Sequence, residues 1–189
     1  YAPQSWEDTV NWARTKKFDL KVMQEAGLVA EKEGKCYGRF RGRLMFPIHD
    51  EQKRVIGFSG RMLEASAKSA KYVNSPETIL FHKSKVFYGM DKARREILSE
   101  KSALICEGQI DTMACHLAGL NNVVAPQGTA LTADHARILK RYTSEVILCF
   151  DSDTAGQAAA VRSFDALLES ELAVRVMAVP APHDPDSYI

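Results

Sequence analysis

The sequence predicts an α/β protein: a largely parallel sheet flanked by helices, preceded by a smaller basic α+β subdomain. Three observations carry that expectation. After about residue 95, continuous apolar runs of strand length alternate with segments of helical periodicity, the pattern of a sheet covered on both faces. Before that point the chain begins with two helix-like segments and passes into short β-rich pieces. The charge balance turns at the same place, for residues 1–95 hold 19 Lys and Arg against 11 Asp and Glu, a balance of +8. Residues 96–189 hold 6 against 13, a balance of −7, so the overall charge of +1 conceals two opposed halves. The expected domains are therefore 1–95 and 96–189.

Ser5 and Asp8 have the spacing of a capping box ahead of Val10 and Trp12, and Asp19 suits the cap of a second helix ending at Gly27. Leu44–Ile48, Val55–Phe58 and Lys71–Val73 read as strands, with a small, polar loop over 65–70 and a turn over 74–78. A helix is expected from Asp91 to Glu100. Ala103–Cys106 is a strand, followed by a helix whose face is Ile110, Met113, Ala114 and Leu117, closed at Gly119. Val123–Ala125 is a strand, and Thr132 caps a helix to Lys140. Val146–Phe150 is a buried strand, Ala155–Leu168 a helix, and Val174, Val176 and Ala178 alternate as a last strand.

The apolar fraction of 46% and charged fraction of 26% are those of an ordinary globular protein, which excludes collagen-like, disordered and membrane classes. No apolar run approaches the ~18 residues of a membrane span, and the first residues resemble neither a signal nor a transit peptide. Cys36, Cys106, Cys115 and Cys149 show no paired spacing. They read as reduced thiols of a cytoplasmic protein without a zinc site.

Each strong strand of the second half runs into acid. Glu107-Gly108 follows the first, with Asp111 one turn into the next helix; Asp151-Ser152-Asp153 follows the third; Asp184-Pro185-Asp186 follows the last. The carboxyl ends of parallel strands form the binding edge of such a sheet, so Glu107, Asp151, Asp153, Asp184 and Asp186 are candidates to converge there. Two carboxylates ~4 Å apart repel by roughly 4 kcal/mol at an effective dielectric of 20, which protons or metal ions must offset. An all-oxygen set favours Mg²⁺ or Mn²⁺ over zinc and suits phosphoryl or nucleotidyl transfer. The plainer alternatives are that Asp151 or Asp153 caps the helix from Ala155, and that Asp184–Asp186 is a turn.

In the basic half, Arg39, Arg41 and Arg43 alternate, so in an extended segment they would project from one face. Arg61, Lys68, Lys71, His82, Lys83 and Lys85 add charge among Tyr72, Phe81 and Tyr88, a combination able to bind phosphates and stack bases. A solvated edge strand is the alternative for Arg39–Arg43.

Taken together, Glu107-Gly108-Gln109-Ile110-Asp111, Asp151-Ser152-Asp153-Thr154-Ala155-Gly156 and Asp184-Pro185-Asp186 resemble the toprim signature. Arg39–Ile48, Val55–Arg61, Lys71–Thr78, Phe81-His82-Lys83 and Val86–Gly89 are similar to the catalytic core of DnaG-type bacterial primases. The resemblance covers nearly the whole chain. It implies a DNA-dependent RNA polymerase, a nucleotidyltransferase that makes RNA primers on single-stranded DNA from ribonucleoside triphosphates. It also implies catalytic roles for Glu107, Asp151 and Asp153, and binding of two or more Mg²⁺ or Mn²⁺ ions by those residues with Asp184 and Asp186; Asp111 is a weaker candidate for direct contact. Arg39, Arg43, Arg61, Lys71, Asn74 and Lys83 are implied at the template or nucleotide, with Gly128 and Thr129 in a loop near the site.

No zinc-ribbon cysteines precede Tyr1, and the chain stops at Ile189, directly after the last acidic motif. The expectation is thus an excised core of a nucleoid-associated replication enzyme, lacking its C-terminal helices and the region through which the replicative helicase binds. Competing readings are a toprim nuclease or topoisomerase fragment, and a nonenzymatic nucleic-acid-binding module.

Overall fold

The computed structural model describes residues 1–63, 69–150, 164–180 and 183–189. They form two compact units, one of residues 1–48 and 54–82, the other of 49–53 and 83–189.

In the first unit, α1 (Asp8–Thr15) and α2 (Leu20–Glu25) pack on a hairpin of β1 (Val29–Lys32) and β2 (Lys35–Gly38). Val10, Ala13, Met23 and Val29 form the buried seam between them. Asp19 caps α2 as its sequence predicts, accepting the Lys21 N–H at 2.8 Å. The expected box at α1 is not made: Glu7 holds the N-cap position without a side-chain cap hydrogen bond, and Ser5 Oγ accepts the Glu7 N–H, at 3.2 Å. The hairpin was not legible as strands. Its turn has φ of 51° at Glu33 and 75° at Gly34, and its strands carry charge where burial would have marked them. A second sheet has the order β3 (Arg43–His49), β4 (Val55–Met62), β5 (Tyr72–Asn74).

The second unit holds a five-stranded sheet of order β10-β9-β7-β8-β6. Here β6 is Phe87–Tyr88, β7 Ala103–Ile105, β8 Val123–Pro126, β9 Glu145–Leu148 and β10 Ala173–Val176. The strands β7 to β10 are mutually parallel where paired, and β6 runs antiparallel to β8. Alternate residues of the parallel strands feed two cores. Ala103, Ile105, Val124, Val146 and Leu148 pack with Met90, Ala93 and Ile97 of α3 (Met90–Glu100) and with Ala136 and Leu139 of α5 (Ala133–Lys140). Leu104, Cys106, Val123 and Cys149 pack with Cys115 of α4 (Gln109–Leu117). Burial on both faces explains why the central strands β7 and β8 read as unbroken apolar runs. Each fully buried Ile or Leu contributes about 1.5–3 kcal/mol of transfer free energy, so the two layers hold the sheet together. The last acidic segment runs into a short helix, α6 (Pro185–Tyr188), rather than the turn that was the plainer alternative for Asp184–Asp186.

Candidate metal centre and nucleic-acid interface

The sheet order makes a switch point. From β7 the chain crosses to β8 on one side, then returns to β9 on the other, so the connections diverge between the carboxyl ends of β7 and β9. Glu107 leaves β7 at that point and is exposed. The strand ends beneath it are pinned, with Cys106 N–H donating to Val124 O at 3.0 Å and Cys149 N–H to Ile105 O at 2.8 Å. Cys106, Cys115 and Cys149 lie buried below the edge, none of them in a disulfide. Hydrogen bonds with Cys115 and Cys149, followed by burial, push the Cys106 thiol far up. Cys106 is thus a packing group rather than a thiolate ligand, and its hydrogen bond with Cys115 lowers the Cys115 pKa.

Asp111 turns back on its own helix, and its Oδ2 accepts the Gly108 N–H at 3.1 Å. The last helix packs on α4, and both Asp111 and Asp186 act electrostatically on Cys115, so the final acidic segment comes to the side of α4. Within that segment Asp186 is exposed, whereas Asp184 is the N-cap of α6 and its Oδ1 accepts the Ser187 N–H at 2.8 Å. Hydrogen bonds from Ser187 hold the Asp184 carboxyl below the usual carboxylate range. Asp151 and Asp153 lie outside the described residues. Among the described residues, no three His, Cys, Asp or Glu side chains are grouped to hold a metal ion. The donor chemistry at Glu107 is nevertheless the all-oxygen kind that Mg²⁺ and Mn²⁺ accept. One strand over, at the end of β8, Gln127 is 1% exposed, and neither amide atom has a hydrogen-bond partner among the described residues. No sequence signal marked it.

The basic residues divide by environment. Arg39–Gly42 is a turn with Gly42 at φ 64°, so the arginines do not share one face of a strand as their alternation predicts. Arg41 instead lies over the Trp6 ring, 3.4 Å from its centroid and 5.1 Å from that of Tyr37, and donates to Gly38 O at 2.7 Å. Burial is the first cause lowering the Arg41 pKa. Trp6 remains 58% exposed, which makes this an aromatic and cationic surface that the sequence, with Trp6 far from Arg41, did not reveal.

Arg43 is buried at 7% exposure, its guanidinium donating to Ala70 O at 2.6 Å and Arg41 O at 3.1 Å. Gly60 makes room for it: a Cβ there would stand 2.8 Å from Arg43 Cδ. Arg61 and Lys71 flank Tyr72, at 5.9 and 5.8 Å from its ring centroid, and Ser59 pairs with Asn74 across β4 and β5. Arg39 Nε and Asn74 Oδ1 are buried without hydrogen-bond partners among the described residues. Lys68 lies outside the described residues, and Lys83 belongs to the second unit rather than the first.

Comparison with known proteins places this arrangement. Residues 1–94 match the family described as DNA primase catalytic core, N-terminal domain, and residues 104–189 match Toprim-like. The DNA primase of Clostridium acetobutylicum is 41% identical over 189 residues, covering 100% of this chain and 31% of that protein. The crystal structure of the Aquifex aeolicus primase, zinc binding and RNA polymerase domains, superposes with a TM-score of 0.90 at 35% identity, covering 100% of this chain and 46% of that one. A DnaG primase catalytic domain bound to ssDNA gives 0.88 at 37% identity, over 99% of this chain and 59% of the other. The chain therefore spans under a third of its curated relative's length, yet is matched from end to end by the core of such enzymes. Toprim primases as a family are metal-dependent. Two family matches in sequence, a toprim sheet with its acid at the switch point and basic elements ahead of it put the chain in the DnaG-type bacterial primase family.

Proposed function

We propose that this chain is the RNA polymerase core of a bacterial primase, joining ribonucleotides into short RNA primers on single-stranded DNA by nucleotidyl transfer. The observation that carries the reading is Glu107 at the switch point of the toprim sheet, in a chain whose solved relative binds ssDNA. Glu107, Asp151 and Asp153 would hold two or more Mg²⁺ or Mn²⁺ ions, with Asp186 and Asp184 contributing nearby. Bound there, such ions supply Lewis-acid stabilisation of charge on the transferring phosphate. The chain's own residues then bind and orient. Arg61, Lys71 and Lys83 offer cations to template or nucleotide phosphates, Asn74 and Arg39 offer hydrogen-bonding atoms, and Trp6 with Arg41 offers a surface for a base.

The functional division is proposed at about residue 95, between a basic half that grips phosphate and an acidic half that gathers metal. The partners are single-stranded DNA, ribonucleoside triphosphates and the RNA primer, with the replicative helicase recruited through the rest of the enzyme at the bacterial nucleoid. Among the described residues no helix is long and apolar enough to cross a membrane. A nuclease, a topoisomerase or a nonenzymatic binder is not favoured, because the basic elements ahead of the toprim region match the primase core as well.

The test is Asp151→Ala and Asp153→Ala in a dinucleotide synthesis assay on single-stranded template with Mn²⁺. Both variants, folded by circular dichroism, are expected to lose synthesis while still binding template. Retained synthesis would sink the assignment.

A further inference from the structure

The segment that carries Lys83 is held from outside itself. Lys83–Lys85 is a single 3₁₀ turn, too short to set its own geometry. The Thr132 hydroxyl donates to Ser84 O at 2.7 Å, and the His135 ring meets Val86 O at 3.2 Å, with the Lys83 carbonyl a further acceptor facing it. Thr132 N–H donates to His135 Nδ1 at 3.2 Å, so Nδ1 carries no proton and the hydrogen on Nε2 is the one directed at the turn. His135 is 0% exposed, its ring 4.5 Å from that of Phe87, and its N–H returns to Thr132 Oγ1 at 3.2 Å to cap α5. On the rim, Lys85 Nζ lies 4.0 Å from Asp134.

A methyl-bearing side chain could fill the same volume without the cost of burying an imidazole. What Thr132 and His135 add is direction: their side-chain donors go to main-chain carbonyls of one short segment. A lysine is a compact charge on a flexible stem, so the place of its Cα decides which phosphate it reaches.

We propose that Thr132 and His135 are positioning residues for Lys83, fixing the backbone from which its ammonium meets a phosphate of template or nucleotide. This rests on the reading of Lys83 as a phosphate contact. Thr132→Val removes the hydroxyl at nearly constant volume, and Thr132→Ser restores it. The full 189-residue chain is titrated with a single-stranded oligonucleotide, and separately with a fluorescent ribonucleoside triphosphate, across a salt series. The series compares wild type, Thr132→Val, Thr132→Ser, Lys83→Ala and the Thr132→Val/Lys83→Ala double variant, each checked for fold. The ligand whose binding suffers identifies the phosphate that Lys83 serves.

Thr132→Val and Lys83→Ala are each expected to weaken that ligand roughly fivefold and, for the oligonucleotide, to lower the salt slope by about 0.7, one contact's worth. Thr132→Ser should bind as wild type, and the double variant no more weakly than Lys83→Ala. His135→Gln should reproduce the loss, and takes the place of Thr132→Val if that variant does not fold. Wild-type binding by the folded Thr132→Val or His135→Gln protein, or losses that add in the double variant, would overturn the positioning role. Wild-type binding of both ligands by Lys83→Ala would overturn it differently, by removing the contact it serves.

Discussion

Asp111 Oδ2 accepts the backbone N–H of Gly108 at 3.1 Å, so the acid one turn beyond Glu107 closes the start of its own helix. Its negative charge also sits at the positive end of the α4 dipole. Asp111→Ala is expected to cost about 1 kcal/mol, the usual worth of an N-terminal cap, and Asp111→Asn, which keeps an acceptor, considerably less. Urea unfolding of the three proteins checks this. Equal losses for Ala and Asn would show that the carboxylate's charge, not its hydrogen bond, is what matters.

Arg43 and the pair Arg61 and Lys71 should respond in opposite ways to truncation. Arg43 is buried against two carbonyls, so Arg43→Ala should cost about 3 kcal/mol of stability, because it strips charge-assisted hydrogen bonds from the interior. Gly60→Ala, whose Cβ would meet Arg43 Cδ at 2.8 Å, should disturb the same packing. Arg61→Ala and Lys71→Ala should leave the melting temperature within about 2 °C and flatten the salt dependence of DNA binding, as surface phosphate contacts do. A stable Arg43→Ala protein with a flattened salt slope would return Arg43 to the template.

His135 predicts an acid limit to stability. Burial, the largest cause, lowers its pKa below the ordinary 6.5, so between the two values the unfolded chain binds a proton that the native one does not. The contribution is therefore fully present above pH 6.5 and is lost as pH falls below it, by about 1.4 kcal/mol per pH unit until the folded value is reached. Protonation would also set an Nδ1–H against the Thr132 N–H that now donates to it. Urea midpoints from pH 7.5 to 4.5 should fall more steeply for wild type than for His135→Gln; parallel curves would refute the assignment.

Much of the second unit was legible because its central strands β7 and β8 are buried on both faces. Ala103–Ile105 and Val123–Pro126 are buried at every residue, so composition alone marks them. The caps at Asp19 and Thr132 were legible because capping depends on only three or four neighbouring residues. Ser5 and Asp8 have the same local pattern and still make no box, since the chain enters α1 with Glu7 in helical geometry at φ −103° and ψ −18°. The arginine alternation at 39–43 misled for a related reason. Period-two spacing implies a shared face only in extended backbone, and Gly42 at φ 64° turns the chain.

Asp184-Pro185-Asp186 was legible as acidic but not as a helix start, where proline at the first position is at home and Asp184 becomes the cap.

By itself the sequence determined the class of the fold, the two opposed halves of charge and which carboxylates follow which strands, because those depend on composition and short-range periodicity. Only the tertiary structure decided the strand order that sets Glu107 at a switch point. It also decided that Arg43 is interior while Lys71 is exposed, that Trp6 meets Arg41, and that α5 holds the turn bearing Lys83. Each of these is a contact between residues distant in the chain, settled by which surfaces pack together, and no local pattern encodes it.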